Sequence, residues 1–391
     1  MARLDHRRSR GRYGARVGSM CVVIVALLMS GCSSPSSSLP EPTPPVDAIR
    51  EDIDSVFGTL YGEDAVRAVL VQQHGERVYE QYQDSTADDT WDVRGVTRAV
   101  TSTLIGIAID RGLISGVDAT LGHLLPGYAA ALTPETAAIQ LKAVLTHTAN
   151  FAPTSEERDI RGTPADLYAQ PDWVAAILAD RAARGPGDGR FLFSDMGTHI
   201  LAAVLAQATG MSPLRFAQEA LFDPLDIDVA PLWEERFSPG SDPAVLLQEY
   251  QQAEVAWPAD PQGVNLGYTH LRLHATDLVR IGQLMLDEGV WGDEQVVSAT
   301  WAVQATTPVV ATIGYGPISY GYQWWVDPQR GVFYAQGEGG TAVVVDPVRD
   351  AVAVIASEVA IDDPRGNHGY ASSTAVGLAA LLLADLPTDS G

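Results

Sequence analysis

Lysine is nearly absent from this chain: Lys142 stands alone against 24 arginines. That scarcity bounds the covalent chemistry open to the protein. A serine activated by a lysine one helical turn later requires the spacing Ser-x-x-Lys. The residue three before Lys142 is Ile139, so this arrangement occurs nowhere. The Gly-x-Ser-x-Gly elbow of another hydrolase class is also missing. The hydroxyls left as candidate nucleophiles are Thr97, Ser102 and Ser194, and each would need a base beside it. His270 and His274 are four apart, a spacing that would put both on one face of a helix. Two imidazoles without a third ligand do not make a metal site, and packing is their plainer role. No cofactor is expected.

Cysteine is equally sparse, with Cys21 and Cys32 only. Cys21 falls in the apolar run Met20-Cys21-Val22-Val23-Ile24-Val25-Ala26-Leu27-Leu28-Met29. Arg3, Arg7, Arg8, Arg10, Arg12 and Arg16 precede that run. Ten apolar residues are too short for a bilayer span, which takes about 20. Basic, then briefly apolar, then small is the layout of a secretory leader. The sequence Leu28-Met29-Ser30-Gly31 before Cys32 resembles a bacterial lipobox. Residues 1–31 are therefore expected to be a lipoprotein signal peptide, with lipid on Cys32 holding the chain on the outer face of the cell membrane. An ordinary leader that leaves Cys32 free is the alternative, and Arg7-Arg8 leaves the export route open between the general and twin-arginine systems. With Cys21 removed, a single cysteine allows no internal disulfide and no thiolate metal site.

The net charge of -24 becomes about -29 once the basic leader is gone. Such a surface repels nucleic acid and anionic headgroups, and no basic patch opposes it. Acidity of this degree also serves solubility.

These residues must be positioned by the elements around them. Residues 32–45 are dominated by Ser and Pro and read as a tether, reaching about 40 Å if extended at about 3.1 Å per residue. Val46, Ile49, Ile53, Val56 and Phe57 recur at helical spacing. Strands are expected at 66–73 and 77–82 around the turn His74-Gly75, and an apolar helix at 97–111 closed by Gly112. The middle is helix-rich, with helices expected at 134–146, 171–184, 198–209 and 213–221, and another at 275–288. Strands return at 320–326, 332–336, 341–346 and 351–357, followed by a closing helix at 373–386. The expected fold is α+β: an antiparallel sheet built from both chain ends, flanked by helices, with a helical lobe inserted over roughly 113–265 of a 46–387 domain. A cleft is expected where lobe meets sheet.

Six landmarks carry a resemblance. In order they are the His74-Gly75 hairpin, VTRAVTSTLIGIAIDRGLI, LTHTAN, FLFSDMGTHILAAVLAQATG, YGYQWW and GEGGTAVVVDP. Together they resemble the serine β-lactamase and penicillin-binding-protein family, in its class C β-lactamase, D-alanyl-D-alanine peptidase and esterase branch, over about 50–385. The resemblance implies a serine opening the first core helix as Ser-x-x-Lys, a Tyr-x-Asn triplet facing it, and a Lys or His before Gly on the sheet edge. At those places this chain has Gly95, Arg98, Phe193-Ser194-Asp195 and Glu338. Gly95 cannot form an acyl-enzyme. Arg98 stays protonated and cannot serve as a base. Phe193 has no phenolic oxygen, and Glu338 brings a carboxylate where the family has a donor. A lysine-poor composition explains Arg98 alone, not the other changes. Loss of the nucleophile costs on the order of 10⁶ in turnover in a serine protease.

A buried arginine without a partner is costly, so Arg98 is expected to pair with Asp195, Glu338 or both. The resemblance also implies oxyanion or ligand donors at the backbone of Gly95 and Thr341. His147, on the LTHTAN landmark, is expected to be structural, and Asn150 to take left-handed backbone. The resulting expectation is an envelope lipoprotein of this family without catalysis, with a binding or regulatory role. Its partners would be peptidoglycan peptides or an envelope protein. An active esterase, amidase or D,D-peptidase with a relocated nucleophile is the alternative, and a scaffold that ignores its cleft is a third reading. Fold alone does not choose among them.

Overall fold

The computed structural model describes residues 66–152, 163, 166–358 and 369–388. The expected leader, Cys32, the tether and the helix expected over 46–57 lie outside the described residues.

The chain opens with β1 (Val66–Gln73) and β2 (Glu76–Tyr82), an antiparallel hairpin whose turn places His74 and Gly75 at φ 53° and 75°. A short strand β3 (Thr90–Asp92) leads through one tight helical turn, Arg94–Val96, into α1 (Thr97–Asp110). Every residue of α1 from Thr97 to Ala108 is buried, as an apolar-all-round helix must be. Gly112, at φ 72°, closes its end.

The helical region follows with α2 (Leu141–Leu145), α3 (Trp173–Arg184), α4 (Asp195–Thr209), α5 (Pro213–Ala217) and α6 (Pro243–Gln252). Side chains of Asp172, Ser194, Ser212 and Asp242 cap α3 to α6 by accepting backbone N–H bonds that helix starts leave unpaired. The chain then returns through β4 (Arg272–His274), which pairs with β3, and α7 (Ala275–Leu286). A small hairpin, β5 (Val290–Trp291) and β6 (Glu294–Gln295), precedes α8 (Ala299–Thr306). The rest of the main sheet is β7 (Val310–Ala311), β8 (Ser319–Tyr320), β9 (Trp325–Asp327), β10 (Val332–Gly337), β11 (Thr341–Asp346) and β12 (Ala351–Ser357). Helix α9 (Gly369–Ala384) ends the described chain.

Both chain ends build one eight-stranded antiparallel sheet in the order β2-β1-β12-β11-β10-β9-β8-β7. Side chains alternate across a strand, so each strand feeds two cores. Leu70, Val343, Val345, Val352 and Val354 pack with α1 and the helical region. Val69, Val71, Ala342, Val344, Ala353 and Ile355 pack under α9 against Ala375, Ala379 and Leu383. This double coverage explains why β11 and β12 are apolar at nearly every position rather than alternating.

Several expected elements are corrected. The helix expected over 134–146 is two, Pro134–Ala137 and Leu141–Leu145, because Gln140 is extended and bridges to Thr120. Helix α4 starts at Asp195 rather than 198, since Ser194 caps it there. The strand expected over 320–326 is split into β8 and β9 by a turn in which Gln323 takes φ 64°. His270 and His274 share no helix: His270 sits at φ 63° before β4, and His274 ends that strand.

Candidate functional site

The turn Arg94–Val96 and the first turn of α1 put Gly95 and Arg98 against β10 and β11, facing the hairpin between them. Asp195 reaches the same point from the start of α4, and Phe193 lies just before it. Glu338 sits in the three-residue loop that joins Gly337 to Thr341. The side chains expected to meet do meet. Arg98 Nε donates to Asp195 Oδ1 at 3.2 Å, and Nη2 donates to the same oxygen. Nη2 also lies 3.6 Å from Glu338 Oε1, an ion pair without a direct hydrogen bond. The Arg98 and Asp195 side chains are 4% and 3% exposed, and Glu338 is 23% exposed toward the mouth. Burial by itself would lower the Arg98 pKa, but the Asp195 and Glu338 carboxylates outweigh it and hold the guanidinium above its ordinary value. Arg98 is a fixed cation.

The guanidinium also lies over the Phe193 ring, 4.8 Å from its centre. Phe193 in turn stacks on Trp325 at 5.6 Å, and Trp325 on Tyr334 at 6.3 Å. Phe193 thus gives the site a plain aromatic face that seats a cation.

Gly95 explains how Arg98 fits. A Cβ built on Gly95 would overlap Arg98 Nη1 and the carbonyl oxygen of Gln336. The guanidinium and the β10 backbone occupy the space in which a nucleophilic side chain would begin. Gly337 makes the same close approach from the other side: a Cβ there would lie 2.6 Å from the Val93 carbonyl oxygen and 3.0 Å from Gly95 N. Two glycines facing each other let β10 and the turn before α1 touch backbone to backbone. Gly95 and Thr341, the expected backbone donors, are both buried, and the Thr341 hydroxyl bonds the backbone N–H and C=O of Ser357.

The candidate nucleophiles are committed elsewhere. Ser102 donates to the Tyr322 carbonyl at 2.6 Å. Thr97 Oγ1 accepts from Leu271 N at 3.4 Å. Ser194 Oγ donates to the Ala152 carbonyl and accepts from Gly197 N. His147 gives none of them a base. Its Nδ1 accepts from Ser194 N at 3.3 Å, which assigns the proton to Nε2, 3.2 Å from the Tyr320 hydroxyl. Burial first, and Arg98 second, push its pKa well below the ordinary histidine value, so it is neutral. His147 and Asn150 take φ 54° and 57°, and His147 ties the LTHTAN loop to the start of α4. Lys142 is exposed on α2.

Two features escaped sequence reasoning. Gln336 acts through its carbonyl, which no side-chain pattern reveals. Behind Gly95, Asp92 accepts from Arg94 N at 2.9 Å, pairs with Arg94 Nε at 3.2 Å and meets His270 Nδ1 at 2.7 Å. The two Asp92 partners are far apart in sequence, and both Arg94 and His270 take left-handed backbone, φ 47° and 63°, where they converge on it.

The family described as Beta-lactamase matches residues 65–376. The chain belongs to that family. Its frame is the β-lactamase and penicillin-binding-protein fold, and its class is that of β-lactamase-like serine hydrolases. A 6-aminohexanoate-dimer hydrolase from Paenarthrobacter ureafaciens is 25% identical over 358 residues, covering 85% of this chain and 82% of that protein. Penicillin-binding protein 4 of Amycolatopsis lactamdurans is 25% identical over 61% of this chain and 63% of its own. Among solved structures, the octameric penicillin-binding protein homologue from Pyrococcus abyssi superposes with a TM-score of 0.63 at 15% identity, over 88% of this chain and 79% of that one. A penicillin-binding protein homologue from Caulobacter crescentus gives 0.61 at 18% identity, over 87% and 97%.

Proposed function

We propose that this chain is a non-catalytic member of its family, a cell-envelope lipoprotein with a binding or regulatory role toward peptidoglycan peptides or an envelope protein. The single observation that carries the reading is Arg98, which fills the space beside Gly95 while bonded to Asp195 and paired with Glu338. A serine hydrolase needs a nucleophile, a base and a place for the tetrahedral oxygen. Here the first is glycine, the second is a permanently charged guanidinium, and the carbonyl of Gln336 closes on the first from the Cβ side. The leader-like residues 1–31 and the lipobox-like approach to Cys32 support the envelope address. Hydrolysis in the manner of the 6-aminohexanoate-dimer hydrolase is the competing reading, and it would require a nucleophile outside the family position.

The test treats the purified chain with a fluorescent penicillin and a fluorophosphonate, and reads adducts by intact mass. No adduct is expected from either. A stoichiometric adduct on any serine overturns the proposal. Gly95→Ser alone is also expected to stay unlabelled, because the new side chain meets Arg98 and Gln336. The set Gly95→Ser, Arg98→Lys, Phe193→Tyr, Asp195→Asn and Glu338→His removes the guanidinium together with the other changes, and gained acylation in it would report an intact frame.

A further inference from the structure

A second, unassigned cavity lies behind the Gly95 turn. Its volume is about 260 Å³, and Trp91, Asp92, Tyr250, Arg272, Ser357 and Glu358 contribute to its wall. Strands β3 and β4 set Asp92 and Arg272 opposite each other in register. The carboxylates of this wall are already matched: Asp92 by Arg94 at 3.2 Å, and Glu358 by Arg67 at 3.1 Å. Arg272 has no carboxylate partner among the described residues, in a chain whose 49 acids far outnumber its 25 basic residues. Its guanidinium is nevertheless held in place. Nη2 donates to the Thr90 carbonyl at 2.7 Å and reaches Thr90 Oγ1 at 3.2 Å, and Cζ lies 5.6 Å from the centre of the Tyr250 ring. Four buried polar atoms of the wall residues have no hydrogen-bond partner: Arg272 Nε, Trp91 Nε1, Tyr250 Oη and Ser357 Oγ. Native proteins seldom leave such groups unsatisfied without a ligand, ion or water.

We propose that this cavity is a binding site for a small organic carboxylate. Arg272 supplies the unmatched charge and a planar face of donors suited to a carboxylate. The rings of Trp91 and Tyr250 border the ligand's carbon skeleton. The volume suits a molecule smaller than the drug-sized ligands of typical pockets, roughly 300–1,000 Å³. The site is separate from the Arg98 cleft yet joined to it on two sides. Asp92 holds the backbone of Arg94, next to Gly95. Ser357 shares hydrogen bonds with Thr341.

The eight tryptophans give a countable set of indole N–H signals in a ¹⁵N-labelled chain, and Trp91→Phe assigns one of them. Titration with sodium acetate is expected to shift the Trp91 signal saturably, while potassium chloride at matched ionic strength does not. Arg272→Gln is expected to weaken that response at least tenfold, with the other seven signals reporting an intact fold. Should Arg272→Gln disturb them, Ser357→Ala provides the smaller change, with a several-fold loss expected. A Trp91 signal that does not shift, shifts linearly, or responds equally in a folded variant overturns the proposal. Saturation by sodium phosphate without acetate overturns the carboxylate assignment.

Discussion

Arg98 is the residue on which the other side chains of the candidate site converge. Its guanidinium neutralises Asp195, meets Glu338 and lies over Phe193. Breaking a buried pair from one side leaves the other charge stranded, at a cost of about 3–5 kcal/mol, whereas replacing both partners with apolar groups is often neutral. Arg98→Leu is therefore expected to lower stability by about 3–5 kcal/mol in urea unfolding. The double variant Arg98→Leu, Asp195→Leu should recover most of that loss. A double variant no more stable than the single one would show that Arg98 is held by something other than this pair. The pairing of Arg98 with Asp195 and Glu338 was legible in the sequence, because a buried arginine needs a carboxylate partner. The contact between Gly95 and the Gln336 carbonyl was not, since a backbone oxygen leaves no mark in the residue pattern.

The turn between β3 and α1 holds the site from behind, and its anchor is electrostatic. Burial would raise the Asp92 pKa, but Arg94 and His270 overcome it and hold the carboxyl below its ordinary value. A carboxylate whose pKa is lower in the folded chain adds stability that is complete above the unfolded value, about 3.9, and fades as pH falls through the folded one. Asp92→Asn is expected to destabilise the protein at pH 7 and to flatten the acid limb of a stability-against-pH curve. An unchanged acid limb in the variant would remove Asp92 from the account. At this scale the elements legible in advance were those with a clean period or a clear stop: β1, β2, α1, β11 and β12. The splits at 138–140 and 321–324 were not, because hydrophobic periodicity runs on through a short extended or left-handed interruption.

Across the whole molecule, stability rests on two apolar layers on either face of one sheet, with no disulfide in the expected mature chain. If Cys32 carries lipid, it gives an address and adds nothing to folding. Cys32→Ser is expected to release the protein from membranes and abolish labelling by a palmitate analogue, while the thermal midpoint of the chain stays the same. A variant that remains membrane-bound would mean that the leader is retained or that another contact anchors the chain.

The sequence by itself determined the α+β class, the joining of its first and last strands in one antiparallel sheet, and the pairing of Arg98 with Asp195 and Glu338. Those follow from local patterns: a period of two or 3.6, a capping residue, a motif at fixed spacing. Tertiary structure alone decided that Arg98 takes the space a side chain at position 95 would need, that facing glycines bring β10 against the turn before α1, and that Arg272 borders a cavity without an ion pair to any described carboxylate. These depend on groups far apart along the chain being brought within contact distance, Gly95 with Gly337 across 242 residues and Arg272 with Thr90 across 182, and no local pattern encodes which pairs will touch.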